Sequence, residues 1–219
     1  MDPERERRQF ERTHDPARLM ALTDGVFAIV ITLLVLEIHV PELSSGQRLT
    51  EALREVRPSF IAFLISFFVV AIAWTAHRDL FAHVRLTDRN LVWLNLLYML
   101  PLSLLPFGAA LLSRYDREPV ALSLYGLLLL LIAVTRLIVW LYATNRPHLM
   151  YEAIDRRARR VGVLIVLIPA MLWLLAIVIA DSAPTASLAI YAGVPILYFL
   201  SLILTRPKTP PGAPEEHFT

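Results

Sequence analysis

Asp24 sits inside an apolar run, Arg18-Leu19-Met20-Ala21-Leu22-Thr23-Asp24-Gly25-Val26-Phe27-Ala28-Ile29, that continues through Val30-Ile31-Thr32-Leu33-Leu34-Val35-Leu36. A carboxylate within hydrocarbon costs roughly 2.5 to 3.5 kcal/mol on insertion scales, so it faces protein or water and marks an ion or proton pathway. The competing reading has Asp24 neutralised by Arg18 or capped by a neighbouring helix, with Ile29, Leu33 and Leu36 simply facing lipid. A second set of polar groups bears on the choice. Trp74, His77, Arg78 and His83 lie late in the second apolar run, and Asn90 and Asn95 early in the third. All of these fall at a depth comparable to Asp24. Gathered together they would hold three helices by hydrogen bonds, because an unpaired polar group in hydrocarbon costs several kcal/mol.

Other chemistry is poorly represented. His77 and His83 are separated by i, i+6, which turns them about 120° apart on a helix and disfavours a shared metal. Arg136 stands alone in the fourth run and leaves three partners open: Glu118, the interface by snorkelling, or another subunit. No Ser-His-Asp order, paired catalytic carboxylates, metal-ligand cluster or Gly-rich phosphate loop is present, so the expectation is a protein that is not an enzyme and carries no cofactor. The chain has no cysteine, which rules out disulfides and thiolate metal sites.

These residues are carried by long apolar elements. With 57% hydrophobic residues in 219, the chain exceeds the roughly 45 to 50% of soluble domains and reads as an integral membrane protein. Apolar stretches of about 20 residues span a bilayer as helices. Six are read, at about 18–39, 58–82, 90–113, 119–144, 161–180 and 184–205. They form one transmembrane domain over 1–206, followed by a Pro-rich tail at 207–219. Leu127 to Val134 and Val163 to Ile168 are continuously apolar, unlike the alternating strands of a membrane barrel, so the fold class is all-α. Pro101, Pro106, Pro169 and Pro195 fall inside spans and predict kinks in the third, fifth and sixth helices.

Basic residues report topology rather than nucleic-acid binding. One side collects Arg5, Arg7, Arg8, Arg12, Arg18, Arg78, Arg85, Arg89, Arg146, Arg156, Arg157, Arg159, Arg160, Arg206 and Lys208. The other receives Arg48, Arg54, Arg57, Arg114 and Arg117. The positive-inside rule places both termini in the cytoplasm, which needs an even number of spans. A cleaved signal peptide is disfavoured, because the first run is too long for an h-region, contains Asp24 and ends in Glu37 and Pro41 without a small-residue site.

At 100° per residue the first helix has two notable faces. Ile29, Leu33 and Leu36 form a bulky apolar stripe with Thr32 at its margin. Ala21, Gly25, Ala28 and Thr32 form a stripe of small residues, the pattern that lets membrane helices approach closely, and this face is expected to pack.

The motif Arg18-x-x-x-Leu22-Thr23-Asp24-Gly25-Val26-Phe27-Ala28-Ile29, followed by Thr32-Leu33-Leu34-Val35-Leu36-Glu37-Ile38, resembles the signature of the bacterial relatives of the lysosomal potassium channel transmembrane protein 175. There the motif reads Arg-x-x-x-Phe-Ser-Asp. Leu22 and Thr23 depart from Phe-Ser, although Thr keeps the hydroxyl. The resemblance extends to Trp74-x-x-His77, to Leu91-x-x-Leu94-Asn95-Leu96-Leu97 and to Leu104-Leu105-Pro106-Phe107, covering the first half of the chain. It implies six helices per subunit, a homotetramer in a bacterial-type cell membrane, and first helices lining a central pore for monovalent cations, K⁺ above all. It further implies a filter of apolar side chains: Ile29 as the narrowest ring, with Thr32, Leu33 and Leu36 beside it. Arg18, Thr23 and Asp24 then join helix one to helices two and three, with Trp74, His77 and Asn95 as partners. A proton-coupled secondary transporter or a proton-permeable channel is the alternative, using Asp24, His77 and Arg136.

Overall fold

The computed structural model describes residues 14–43 and 45–204, with side chains as far as residue 200. The Pro-rich segment at 207–219 and the basic residues Arg5, Arg7, Arg8, Arg12, Arg206 and Lys208 lie outside the described residues. Among the described residues the regular structure is helical, with two isolated β-bridges and no strand. The helices are α1 (Ala17–Val35), α2 (Leu49–Glu55), α3 (Arg57–Phe81), α4 (Arg89–Ser103), α5 (Leu105–Arg114), α6 (Pro119–Thr144), α7 (Arg156–Val178) and α8 (Pro184–Leu204).

Five described segments are long and apolar enough to cross a membrane: Ala17–Val35, Arg57–Phe81, Arg89–Arg114, Pro119–Thr144 and Arg156–Val178. The chain is a multi-pass membrane protein. α8 is a further apolar helix. Several boundaries have visible causes. α1 stops at Val35, short of the residue 39 expected from hydropathy, and its last turn tightens through Leu36 N–H to Leu33 C=O and Ile38 N–H to Val35 C=O. α7 begins before 161, because Asp155 accepts from the Ala158 N–H at 2.6 Å and caps four arginines into the first turns. The polar stretch between α1 and α3 holds the short helix α2, whose only buried side chain is Ala52. Pro101 and Pro106 break the third span at Leu104 into α4 and α5, since neither proline can donate to the ladder.

One end of the bundle is stapled. His14 pairs with Thr87 and Val84 with Met150, so the chain entering α1, the α3–α4 turn and the α6–α7 turn meet there. That end carries Arg78, Arg85, Arg89, Arg146, Arg156, Arg157, Arg159 and Arg160, while Arg48, Arg54, Arg57, Arg114 and Arg117 belong to the opposite end. At the stapled end Asp88 caps α4 through the Leu91 N–H at 2.7 Å and accepts from the Tyr142 hydroxyl at 2.7 Å, tying α4 to α6.

α6 packs against α4, α5, α7 and α8, whereas α1 packs against α3, α4 and α5 on the other side. Fully buried tyrosines knit the α6 side together. Tyr125 bonds Ser66 at 2.9 Å and meets Tyr191 edge-on at 5.4 Å, and the Tyr191 hydroxyl donates to the Leu122 carbonyl at 3.0 Å. Gly126 permits this approach, because a Cβ there would run into the Tyr191 hydroxyl and lie 2.6 Å from Ile177. Gly126→Val is expected to lower the thermal unfolding midpoint of the detergent-solubilised protein, overpacking costing about 1 to 3 kcal/mol. Gly193→Ala, whose Cβ meets nothing within 4 Å, should leave that midpoint unchanged or slightly raised.

Candidate functional site

α1 has two unequal faces. Its buried residues are Leu19, Thr23, Phe27, Val30 and Leu34, spaced i, i+4, i+8, i+11 and i+15, a narrow stripe against α3, α4 and α5. The remaining circumference, about half of it at 100° per residue, is exposed among the described residues. Ile29 is 60% exposed, Leu36 65% and Leu33 41%. The small-residue stripe of Ala21, Gly25, Ala28 and Thr32 also lies on this bare side, so the face expected to pack is exposed within the subunit. A Cβ at Gly25 would meet nothing within 4 Å.

The other side of α1 is fastened by polar groups. The Asn95 amide nitrogen donates to the Thr23 hydroxyl oxygen at 2.8 Å, and that hydroxyl donates to the Leu19 carbonyl at 2.8 Å. The Asn95 carbonyl oxygen faces His77 Nε2 at 2.8 Å. With the amide oriented this way, Nε2 must carry the proton, giving one directed chain from His77 through Asn95 and Thr23 to the α1 backbone. His77, Asn95 and Thr23 are all buried. Beside this chain, Trp74 Nε1 donates to the Asp24 carboxylate at 2.9 Å.

Aromatic rings wall the chain in. His77 stacks on Phe81 at 4.2 Å, lies parallel to Tyr98 at 6.0 Å and tilts against Phe27 at 6.0 Å. Phe27 and Tyr98 belong to this site although the sequence reading did not single them out. The signal for Phe27 was its i+4 spacing from Thr23.

Of the expected group, Thr23, Asp24, Trp74, His77 and Asn95 are brought together. Arg18 is not: it is exposed, and Asp24 takes its hydrogen bond from Trp74 instead. Arg78 points outward, lying over the Trp74 ring at 5.3 Å and pairing with Asp79 at 3.0 Å. His83, just past the end of α3, bonds the Asp79 carbonyl at 2.8 Å, and Asn90 is exposed. Ile29, Thr32, Leu33 and Leu36 all stand on the bare side of α1. Thr32 turns its hydroxyl back to the Ala28 and Ile29 carbonyls at 3.0 and 2.9 Å, which uses the proton and leaves the oxygen lone pairs outward.

Residues 18–106, which contain both the bare helix and its fastening, match the model of the family described as endosomal/lysosomal potassium channel TMEM175. A potassium channel of Streptomyces collinus is 36% identical over 151 residues, 67% of this chain and 73% of that one. The chain belongs to the TMEM175 family. The human endosomal/lysosomal proton channel TMEM175 is 30% identical over 144 residues, 65% of this chain but 29% of that protein. The crystal structure of a lysosomal potassium-selective channel TMEM175 homolog from Chamaesiphon minutus superimposes with a TM-score of 0.74 at 31% identity, covering 84% of this chain and 96% of that one. The TMEM175 match ends at residue 106, so the family model covers α1 to α4 and the break before α5, while α6 to α8 lie beyond it.

Removing the link in this chain strands its neighbours. Asn95→Leu leaves the His77 N–H without an acceptor and is expected to destabilise the subunit by about 1 to 3 kcal/mol. Thr23→Ser keeps the hydroxyl and should cost far less, a ranking read from melting curves in detergent.

Proposed function

We propose that this chain is a modestly potassium-selective cation channel, built as a homotetramer of six-helix subunits with α1 from each copy around a central axis. The observation that carries the reading is the bare apolar arc of α1, with Ile29, Leu33 and Leu36 unpartnered and the opposite face locked to α3 and α4. A helix fixed in rotation presents the same side chains in every copy. Four such helices would place Ile29 in a ring, with Leu33 and Leu36 toward the end away from the staple. The names of the Streptomyces and Chamaesiphon relatives, both potassium channels, support the same reading.

An apolar ring gates by dewetting: narrow, it expels water and excludes ions, and slight splaying wets it. K⁺ gives up hydration water at lower cost than Na⁺, so an apolar neck favours K⁺ without a cage of carbonyls. The Thr32 oxygen, its proton held by the α1 backbone, would offer acceptors in place of lost water. No cofactor takes part, and the ion itself is the only ligand required. Asp24, bonded to Trp74, acts as a strut for α1 rather than as an ion ligand. The positive-inside rule puts the stapled, arginine-rich end and both termini in the cytoplasm of a bacterial-type cell.

The experiment is cation flux through purified protein in liposomes, with K⁺ and Na⁺ compared. Flux that rises without saturating at low concentration is expected, whereas a proton-coupled transporter would saturate. Ile29→Asn, similar in size but hydrated, should raise conductance and lower the K⁺ over Na⁺ preference. Unaltered currents and reversal potentials would remove Ile29 from the constriction.

A further inference from the structure

Arg136 lies on α6 about two turns, or about 12 Å, before the helix ends at Thr144. A guanidinium at this depth is costly unless it meets water or an opposite charge. Glu118 is out of reach, since it precedes Pro119 at the far end of the same helix, about 27 Å away along the axis. The ion pairs among the described residues, Arg48 with Glu51 and Arg78 with Asp79, do not include Arg136.

The surroundings of Arg136 divide by depth. On the deep side is a slot of about 60 Å³ between α3, α6, α7 and α8, and among the described residues that line it Arg136 alone is charged. Toward the stapled end is an open cavity of about 430 Å³, lined by Arg136, Tyr198, Asp79, His83, Glu152 and Asp155 among others. Tyr198 lines both spaces and has an interaction of its own. The carboxylates belong to the rim: Asp79 in the last turn of α3, Glu152 in the α6–α7 connection and Asp155 at the cap of α7. Arg136 is the deepest charge.

Two helix faces make the walls. Ala76, Asp79, Leu80 and His83 run i, i+3, i+4, i+7 along α3 and just past it, and Ala158, Gly162, Ile165 and Val166 run i, i+4, i+7, i+8 along α7. Apolar cavities stay dry, whereas a polar one fills when it exceeds the roughly 30 Å³ that a water occupies in the liquid. The wide cavity meets both conditions and the slot, apolar but for Arg136, does not.

We infer that the wide cavity is an aqueous crevice, entered from the arginine-rich end, with Arg136 solvated at its floor and the slot beyond it dry. Water, rather than a carboxylate at contact distance, answers the guanidinium, and the floor favours anions among the small solutes that enter. The crevice wets the side of α3 turned away from Trp74 and His77, so water comes within about 10 Å, one helix diameter, of the bonds that fasten α1. It lies apart from the bare face of α1 and does not depend on how ions pass.

The chain has no cysteine, so single cysteines report without removal of others. The test is the rate at which membrane-impermeant methanethiosulfonates, one carrying a trimethylammonium and one a sulfonate, modify the full-length protein from the arginine-rich side of oriented membrane vesicles. Ile165→Cys probes the floor, and Val134→Cys the exposed outer face of α6 at a comparable depth. Ile165→Cys is expected to react at least about tenfold faster than Val134→Cys, because hydrocarbon suppresses the reactive thiolate. The sulfonate-to-ammonium rate ratio at Ile165→Cys should fall about threefold to tenfold when Arg136→Gln is added and hold when Arg136→Lys is added. If Arg136→Gln fails to fold, the comparison of Ile165→Cys with Val134→Cys decides the crevice by itself. Equal rates at those two positions, or reaction of Ile165→Cys from the opposite side only, overturn the crevice. A ratio unmoved by Arg136→Gln overturns the place of Arg136 at its floor.

Discussion

Asn95 is an amide placed where no water can reach it, and its side chain has one acceptor and two donor positions to satisfy. Leaving such a group unpaired costs more than any apolar contact nearby returns. The acceptor is answered by His77 from α3 and one donor by Thr23 from α1. Because Thr23 passes its own proton to the Leu19 carbonyl, the chain of bonds ends on the α1 backbone rather than on a movable side chain. Turning α1 by one residue, about 100°, would carry Thr23 out of reach and strand two polar groups at once. Dispersion alone would let a helix of Leu, Val and Ile slide among near-equal packings. The amide selects one of them.

From that choice the two halves of the subunit acquire different characters. α6, with tyrosines at its core and close contacts at Gly126, is a packed scaffold in which volume changes are felt immediately. α1 is held along one narrow stripe and stands free over the rest of its surface. Its hydrogen bonds to α3 and α4 lie in the half nearer the stapled end, at Thr23 and Asp24, while Phe27, Val30 and Leu34 continue the stripe with apolar contacts only. Restraint therefore fades along the helix, from directional to non-directional.

Much of this was legible in the residues. Hydropathy pointed to the five segments long enough to span, and Pro101 and Pro106 to a kink in the third that the structure turns into a break at Leu104, because the bilayer sets helix length and a missing N–H sets where a ladder fails. The polar cluster was legible as a set of depths but not as a set of directions. His77 and Arg78 are neighbours in sequence yet turned about 100° apart, so one is buried against Asn95 and the other lies outside over Trp74. Asp24 was open to neutralisation by Arg18 or to capping by a neighbouring helix, and it is the Trp74 indole of α3 that bonds it. The small-residue stripe on α1 was read as a packing face, and sequence has no means of saying whether a packing face looks inward or toward another copy. α2 escaped notice because it buries only Ala52 and has no apolar period to detect.

The pairing of His14 with Thr87 has a mechanical sense. His14 N–H donates to the Thr87 carbonyl at 2.8 Å, and the His14 carbonyl accepts from both the Thr87 N–H at 2.8 Å and the Thr87 hydroxyl at 2.9 Å. Three bonds thus moor the segment just ahead of Ala17, where α1 starts. A tug on the leading chain is borne by the turn next to Asp88, and so by the scaffold that Asp88 joins through Tyr142. The helix itself is strain-relieved at its root, in the way a cable is clamped before its connector.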